Sequence, residues 1–139
     1  MKNIYILLFH TVLFLFIISP AQTPDPFVQD IINQTNLDSL ISYVRILSGE
    51  DSVTIRGNRV LITNRTSSTI QQDWAADYVK QKLRSFQLDV LDQYFGTNGR
   101  NIFAVQPGLI HTSQRYIICA HYDGVTSYCA DDNASGTAA

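Results

Sequence analysis

The chain has 139 residues, 45% of them hydrophobic, and a formal net charge of -2. That is room for about one ordinary globular domain, and the composition is not that of a disordered chain. Basic residues stand singly between Arg45 and Arg115, so no basic patch offers a footprint for a phosphate backbone, and nucleic acid is not an expected partner.

Lys2 supplies a positive start, Ile4 to Ile18 is an almost unbroken apolar run, and Ser19-Pro20-Ala21 offers small residues for cleavage. This pattern predicts a signal peptide over residues 1–21, cut after Ala21, with no stable membrane insertion afterwards. An uncleaved anchor is the alternative, but the run falls short of the roughly 18 to 20 residues that span a bilayer. No cysteine follows the run, which argues against a lipoprotein. The expected location is therefore secreted or periplasmic, where a disulfide between Cys119 and Cys129 is allowed but not implied.

The mature part, residues 22–139, opens on a Pro-containing lead-in, and Phe27, Ile31 and Ile32 begin a helical spacing. A clearer helix follows, with Asn36 as N-cap, Leu37, Leu40, Ile41, Val44 and Leu47 on one face, and Gly49 as the stop. That face requires a partner. Val53 and Ile55, then Val60 to Ile62, read as a small hairpin around Gly57-Asn58. Ser68 and Gln71 form a capping box for a second helix, whose apolar stripe is Ile70, Trp74, Tyr78 and Leu83 with Ala75 and Val79, and of these Trp74 and Tyr78 are expected in the core.

The period then changes to two through Leu88 and Val90, and Asn98-Gly99 signals a hairpin into Asn101–Val105. After Pro107-Gly108, the segment Arg115–Ala120 is short and nearly all apolar, as for a strand buried on both faces. It runs straight into His121-Tyr122-Asp123-Gly124. The pattern predicts an α/β domain, whose ligand sites lie at the C-terminal ends of strands.

Beyond the signal peptide the chain holds two histidines, His111 and His121, and one glutamate, Glu50. His111 lies in a polar connection and is expected to face solvent. His121 and Asp123, two apart on an extended segment, point to one side, so that one ring nitrogen can face a ligand while the carboxylate holds the other. Asp132 follows on a polar loop, Ala130-Asp131-Asp132-Asn133-Ala134-Ser135-Gly136, where a carboxylate has the reach to bridge two metal ions. Ser135 is no serine nucleophile, because the Gly-x-Ser-x-Gly elbow is absent.

The apolar run, His-Tyr-Asp, a short loop and Asp-Asp-Asn-Ala-Ser-Gly, from Tyr116 to Gly136, together resemble the metal-binding core of the co-catalytic zinc aminopeptidases. This is the family of aminopeptidase Y and the bacterial secreted leucyl aminopeptidases. Ile46–Glu50, Asn64-Arg65 and Ala75–Leu83 resemble its N-terminal region more loosely. The resemblance implies a three-layer α/β/α zinc-exopeptidase-like fold with a mixed sheet, of which only the N-terminal part is present. It implies two zinc ions (Zn2+), with His121 ligating one, Asp132 bridging both, and Asp123 as the catalytic-site residue that orients His121. It further implies a cis peptide bond between Asp132 and Asn133. Cys129 stands where the family often has glycine.

The family's other ligands and general base, which include a glutamate pair, a further aspartate and a late histidine, are expected beyond Ala139, and the chain alone is expected to be inactive. The whole protein would be an exported zinc metallo-aminopeptidase releasing N-terminal residues from peptides. The alternatives are a non-catalytic exported domain of the same fold, a carboxypeptidase-like enzyme, or a glutaminyl cyclase-like enzyme.

Overall fold

The computed structural model describes residues 25–139. The expected signal peptide and its cleavage site lie outside the described residues. The described residues divide into two units, the first ending at Thr35 and the second covering residues 36–139.

In the first unit, α1 spans Pro26–Gln34. Asp25 caps it by accepting from the Phe27 N–H at 2.8 Å, and Pro26 occupies the first turn, where its missing N–H costs nothing. Phe27, Ile31 and Ile32 do fall at helical spacing, and all three are exposed.

The second unit opens with α2, Leu37–Leu47. Asn36 is its N-cap, accepting from the Ser39 N–H at 2.8 Å, and Gly49 ends it with a φ of 76°. A side chain at Gly49 would also press on the Thr63 backbone, so two constraints meet at this glycine. The apolar face of α2 is covered unevenly. Leu47 is buried, whereas Leu37 and Ile41 stay exposed.

Strands β1 (Val53–Ile55) and β2 (Asn58–Val60) form the expected small hairpin, in register Val53↔Val60. Its turn is Arg56-Gly57, one residue earlier than expected, and both residues have positive φ, the geometry that suits a two-residue hairpin. Helix α3 covers Ile70–Ser85. Its cap is Thr69, not Ser68: the Thr69 side chain accepts from the Gln72 N–H at 3.1 Å, and Gln72 reaches back to the Ser68 N–H at 2.9 Å. Gln71, freed from capping, turns elsewhere. Tyr78 is buried as expected and Trp74 packs against the core from a half-buried position.

Strands β3 (Val90–Phe95) and β4 (Gly99–Ala104) pair antiparallel across a three-residue loop, Gly96–Asn98. Gly99 is the first residue of β4 and not part of the turn; the Phe95 ring lies where its Cβ would be. Beyond the hairpin the expectation of a buried strand fails. Tyr116, Ile117 and Ile118 are 89%, 87% and 99% exposed, and no described strand pairs with them. A strand buried on both faces needs neighbours on two edges and two faces, and among the described residues none reaches this segment.

Ala130–Ala134 makes a wide turn in which Asp132 and Asn133 leave helical geometry, and the bond between these two is cis, as expected. A single helical turn, α4, follows over Ser135–Ala138. Leu47, Ile55, Ile62, Ala75, Tyr78 and Ala134 form one core, with α2, the β1–β2 region, α3 and the Asp-Asp-Asn turn each contributing. The result mixes helices with two small antiparallel sheets, and among the described residues no helix is long and apolar enough to cross a membrane.

Charge holds the second hairpin to α3. Arg100, nearly buried, donates to Asp77 and Asp92, both at 2.7 Å, while Lys80 pairs with Asp92 and Arg56 with Asp77. Burial works against the Arg100 charge, but the two carboxylates outweigh it and raise its pKa. Asp92 moves below the ordinary carboxylate range through the Lys80 bond first, opposed by burial and reinforced by Arg100. A carboxyl with a lowered folded pKa contributes stability that is complete above its unfolded value, about 3.9, and is lost as pH falls through the folded value. Urea unfolding of wild type and Asp92→Asn between pH 7 and pH 2 should therefore show the wild-type advantage disappearing below about pH 4. An advantage that persists undiminished at pH 2 would contradict this.

Candidate functional site

The site grows from the strip Thr63-Asn64-Arg65, which follows the buried Ile62. Gln71 of α3 fixes this strip with a single oxygen: its Oε1 accepts from the Thr63 N–H at 2.7 Å, the Asn64 N–H at 2.8 Å and the Thr63 hydroxyl at 3.0 Å. The strip in turn fixes the segment after His121. Thr63 O accepts from the Tyr128 N–H at 2.9 Å, Arg65 O accepts from the Gly124 N–H at 3.1 Å, and Asn64 bridges antiparallel to Ser127.

Arg65 is 2% exposed and faces carbonyl oxygens where a buried guanidinium more commonly meets a carboxylate. Its Nε donates to Tyr122 O at 2.8 Å, and its Nη2 donates to Cys129 O at 2.6 Å and Asp132 O at 3.3 Å. Its Nη1 donates to Leu47 O, at the end of α2. Burial pulls its pKa down, opposed by the nearby Cys129, Asp132 and Asp123; an arginine remains charged throughout the physiological range. One buried cation thus joins a helix end, the His-Tyr-Asp segment and the Asp-Asp-Asn turn.

Tyr122 is held at both ends. Its carbonyl accepts from Arg65, and its hydroxyl donates to the Arg100 carbonyl in β4. Burial raises the pKa of that hydroxyl, so it remains a donor at neutral pH. With Tyr122 turned inward, its neighbours His121 and Asp123 project outward together. The Thr137 hydroxyl in α4 lies 2.9 Å from His121 O and 2.8 Å from Asn133 O, linking the turn back to the histidine.

On the outer side His121 presents its two ring nitrogens to two carboxylates. Nδ1 lies 3.2 Å from Asp123 Oδ1, and Nε2 lies 3.8 Å from Asp132 Oδ1. The other Asp132 oxygen accepts weakly from the Val125 N–H at 3.4 Å. All three side chains are about half exposed, 56% for His121, 50% for Asp123 and 48% for Asp132, so a ligand has open access. Zinc bonds of about 2.0–2.2 Å at tetrahedral angles would separate the nitrogen and oxygen by roughly 3.4 Å, a few tenths of an ångström less than observed. The donor pair fits zinc in type and spacing. Among the described residues no three His, Cys, Asp or Glu side chains converge on one ion position, so His121 and Asp132 stand as a candidate pair only.

The other candidates stay apart. His111 is exposed in the connection, as expected, and Glu50 pairs with Arg45 at 3.2 Å on the surface. Asn133 caps the following turn, its Oδ1 accepting from the Gly136 N–H at 3.1 Å. Cys129 is buried and donates to Thr126 O at 2.9 Å, Cys119 is exposed, and both thiols are free. Sequence reasoning gave no role to Arg65 or Tyr122, and gave Gln71 only that of a helix cap. The only trace of them was the Asn64-Arg65 pair and the alternation through His-Tyr-Asp. Replacing Gln71 with Leu strands two inward N–H groups and should destabilise the protein by about 1–3 kcal/mol in urea unfolding; an unchanged midpoint would contradict the role given to Gln71.

No protein-family model, curated protein or solved structure matches this chain.

Proposed function

We propose that this chain is the N-terminal part of an exported, zinc-dependent aminopeptidase, with the three-layer α/β/α zinc-exopeptidase fold and two zinc ions in the whole protein. The observation that supports the reading is the ring of His121, flanked by Asp123 on Nδ1 at 3.2 Å and by Asp132 near Nε2 at 3.8 Å. In this reading Asp123 fixes the tautomer, leaving the lone pair of Nε2 directed outward. Asp132 offers one oxygen on the His121 side and a second within reach of another ion.

When bound, the zinc ions would supply Lewis-acid activation of water and of a peptide carbonyl near neutral pH. Of this chain's residues, His121 and Asp132 would contribute to holding those ions, and their exposure leaves the site open to a peptide. Glu50, the only glutamate, is engaged with Arg45 at the surface, and in this reading no described residue serves as the general base. The exposed apolar run Tyr116–Ile118 accords with a strand that has no sheet neighbours among the described residues.

A second reading, a non-catalytic exported domain, draws on the absence of a third ligand among the described residues. One experiment separates the two. The whole protein with zinc should hydrolyse an aminoacyl anilide, a chelator should abolish turnover, and His121→Ala or Asp132→Ala should lower it at least a thousandfold. The 139-residue chain alone should give none. Absence of turnover by the whole protein, or turnover indifferent to chelation, would sink the aminopeptidase reading.

A further inference from the structure

Resting on the zinc reading above, we infer that Arg65 and Tyr122 are the positioning residues that set the gap between His121 and Asp132, and with it the affinity for metal. Neither touches the ion position. Each controls the backbone from which a ligand projects.

The argument is one of attachment. His121 and Asp132 are eleven positions apart, joined by a largely exposed loop that by itself leaves their spacing free. Arg65 removes that freedom by donating to Tyr122 O at 2.8 Å, next to His121, and to Asp132 O at 3.3 Å, on the second ligand itself. Its bond to Cys129 O at 2.6 Å pins the start of the turn. The guanidinium is rigid and planar, so the carbonyls it binds are held at a separation set by the fork and not by the loop. A lysine, with one nitrogen on a flexible stem, cannot span them at once.

Tyr122 supplies what Arg65 cannot, which is rotation about the strand axis. Its hydroxyl is bound to the Arg100 carbonyl, in a strand whose side chain at that position is locked to Asp77 and Asp92 at 2.7 Å. Because neighbouring residues on an extended segment face opposite ways, anchoring Tyr122 inward fixes the outward direction of His121 and Asp123 together. The ion cluster between α3 and β4 thereby becomes the ground against which the candidate pair is oriented.

The test uses the whole protein as wild type, Arg65→Lys and Tyr122→Phe. Zinc affinity is read by chelator competition, the ligand field by the visible spectrum of the cobalt(II) form, and folding by thermal melting. Wild type should bind zinc, and each variant should bind about 10- to 100-fold more weakly with an altered cobalt spectrum. The loss in Tyr122→Phe should come with little change in melting temperature, which a merely structural role would not produce. Should Arg65→Lys fail to fold, Tyr122→Phe decides the matter, since it removes one hydroxyl and keeps the ring. A wild type that binds zinc while both folded variants match it in affinity and spectrum overturns this assignment alone. A wild type that binds no zinc overturns it together with the reading on which it rests.

Discussion

A single buried guanidinium with no carboxylate bonded to it is the constraint on which the rest of this structure depends. Arg65 satisfies four backbone carbonyls drawn from three separate segments: the end of α2, the His-Tyr-Asp segment, and the turn from Cys129 to Asp132. Buried carbonyls must find donors, and turns and segment ends lack the ladder that would supply them. A rigid fork of five N–H groups does this for several at once. The charge is costly to bury, as the lowered pKa of the group records, and the nearby Asp123 and Asp132 offset part of that cost. The same carboxylates are those that face His121. Electrostatics of the inside and chemistry of the outside are therefore two sides of one peptide segment.

Around this clamp the other devices are layered. Gln71 straightens the strip that carries Arg65, Gly49 lets that strip approach the end of α2, and the core residues Leu47, Ile62 and Ala134 close over it. The Arg100 cluster acts at one remove, fixing β4 to α3 and giving Tyr122 a firm acceptor. A half-exposed site can keep a defined geometry because each of its side chains stands beside a backbone group that is buried and bonded.

Much of the local structure was legible in the sequence. Asn36 and Gly49 bracket α2 where capping chemistry places them, and both hairpins follow their turn glycines within a residue or two. The juxtaposition of the candidate residues was legible for a similar reason: His121 and Asp123 share a side through period-two geometry, and Asp132 stands on a short loop. What escaped were relations between distant segments. Arg65 reads as one more surface arginine until its depth is known, and Ser68 and Thr69 are equivalent caps until one is chosen by the turn before it. The run Tyr116–Ile118 was read as buried because it is apolar, but burial belongs to a sheet and not to a strand. Composition can state that a segment would gain by being covered and still leave open what covers it.

Whether zinc binds, and where, tests the proposal that this clamp delivers His121 and Asp132 to one ion. Crystals of the zinc-loaded whole protein, measured at the zinc absorption edge, give the position of the ion and the identity of its ligands. The account predicts an anomalous peak bonded to His121 Nε2 and to an Asp132 carboxylate oxygen at about 2.0–2.2 Å, with Asp123 on Nδ1 of the same ring. A zinc bound elsewhere, or bound to His121 with Asp132 turned away, would contradict it.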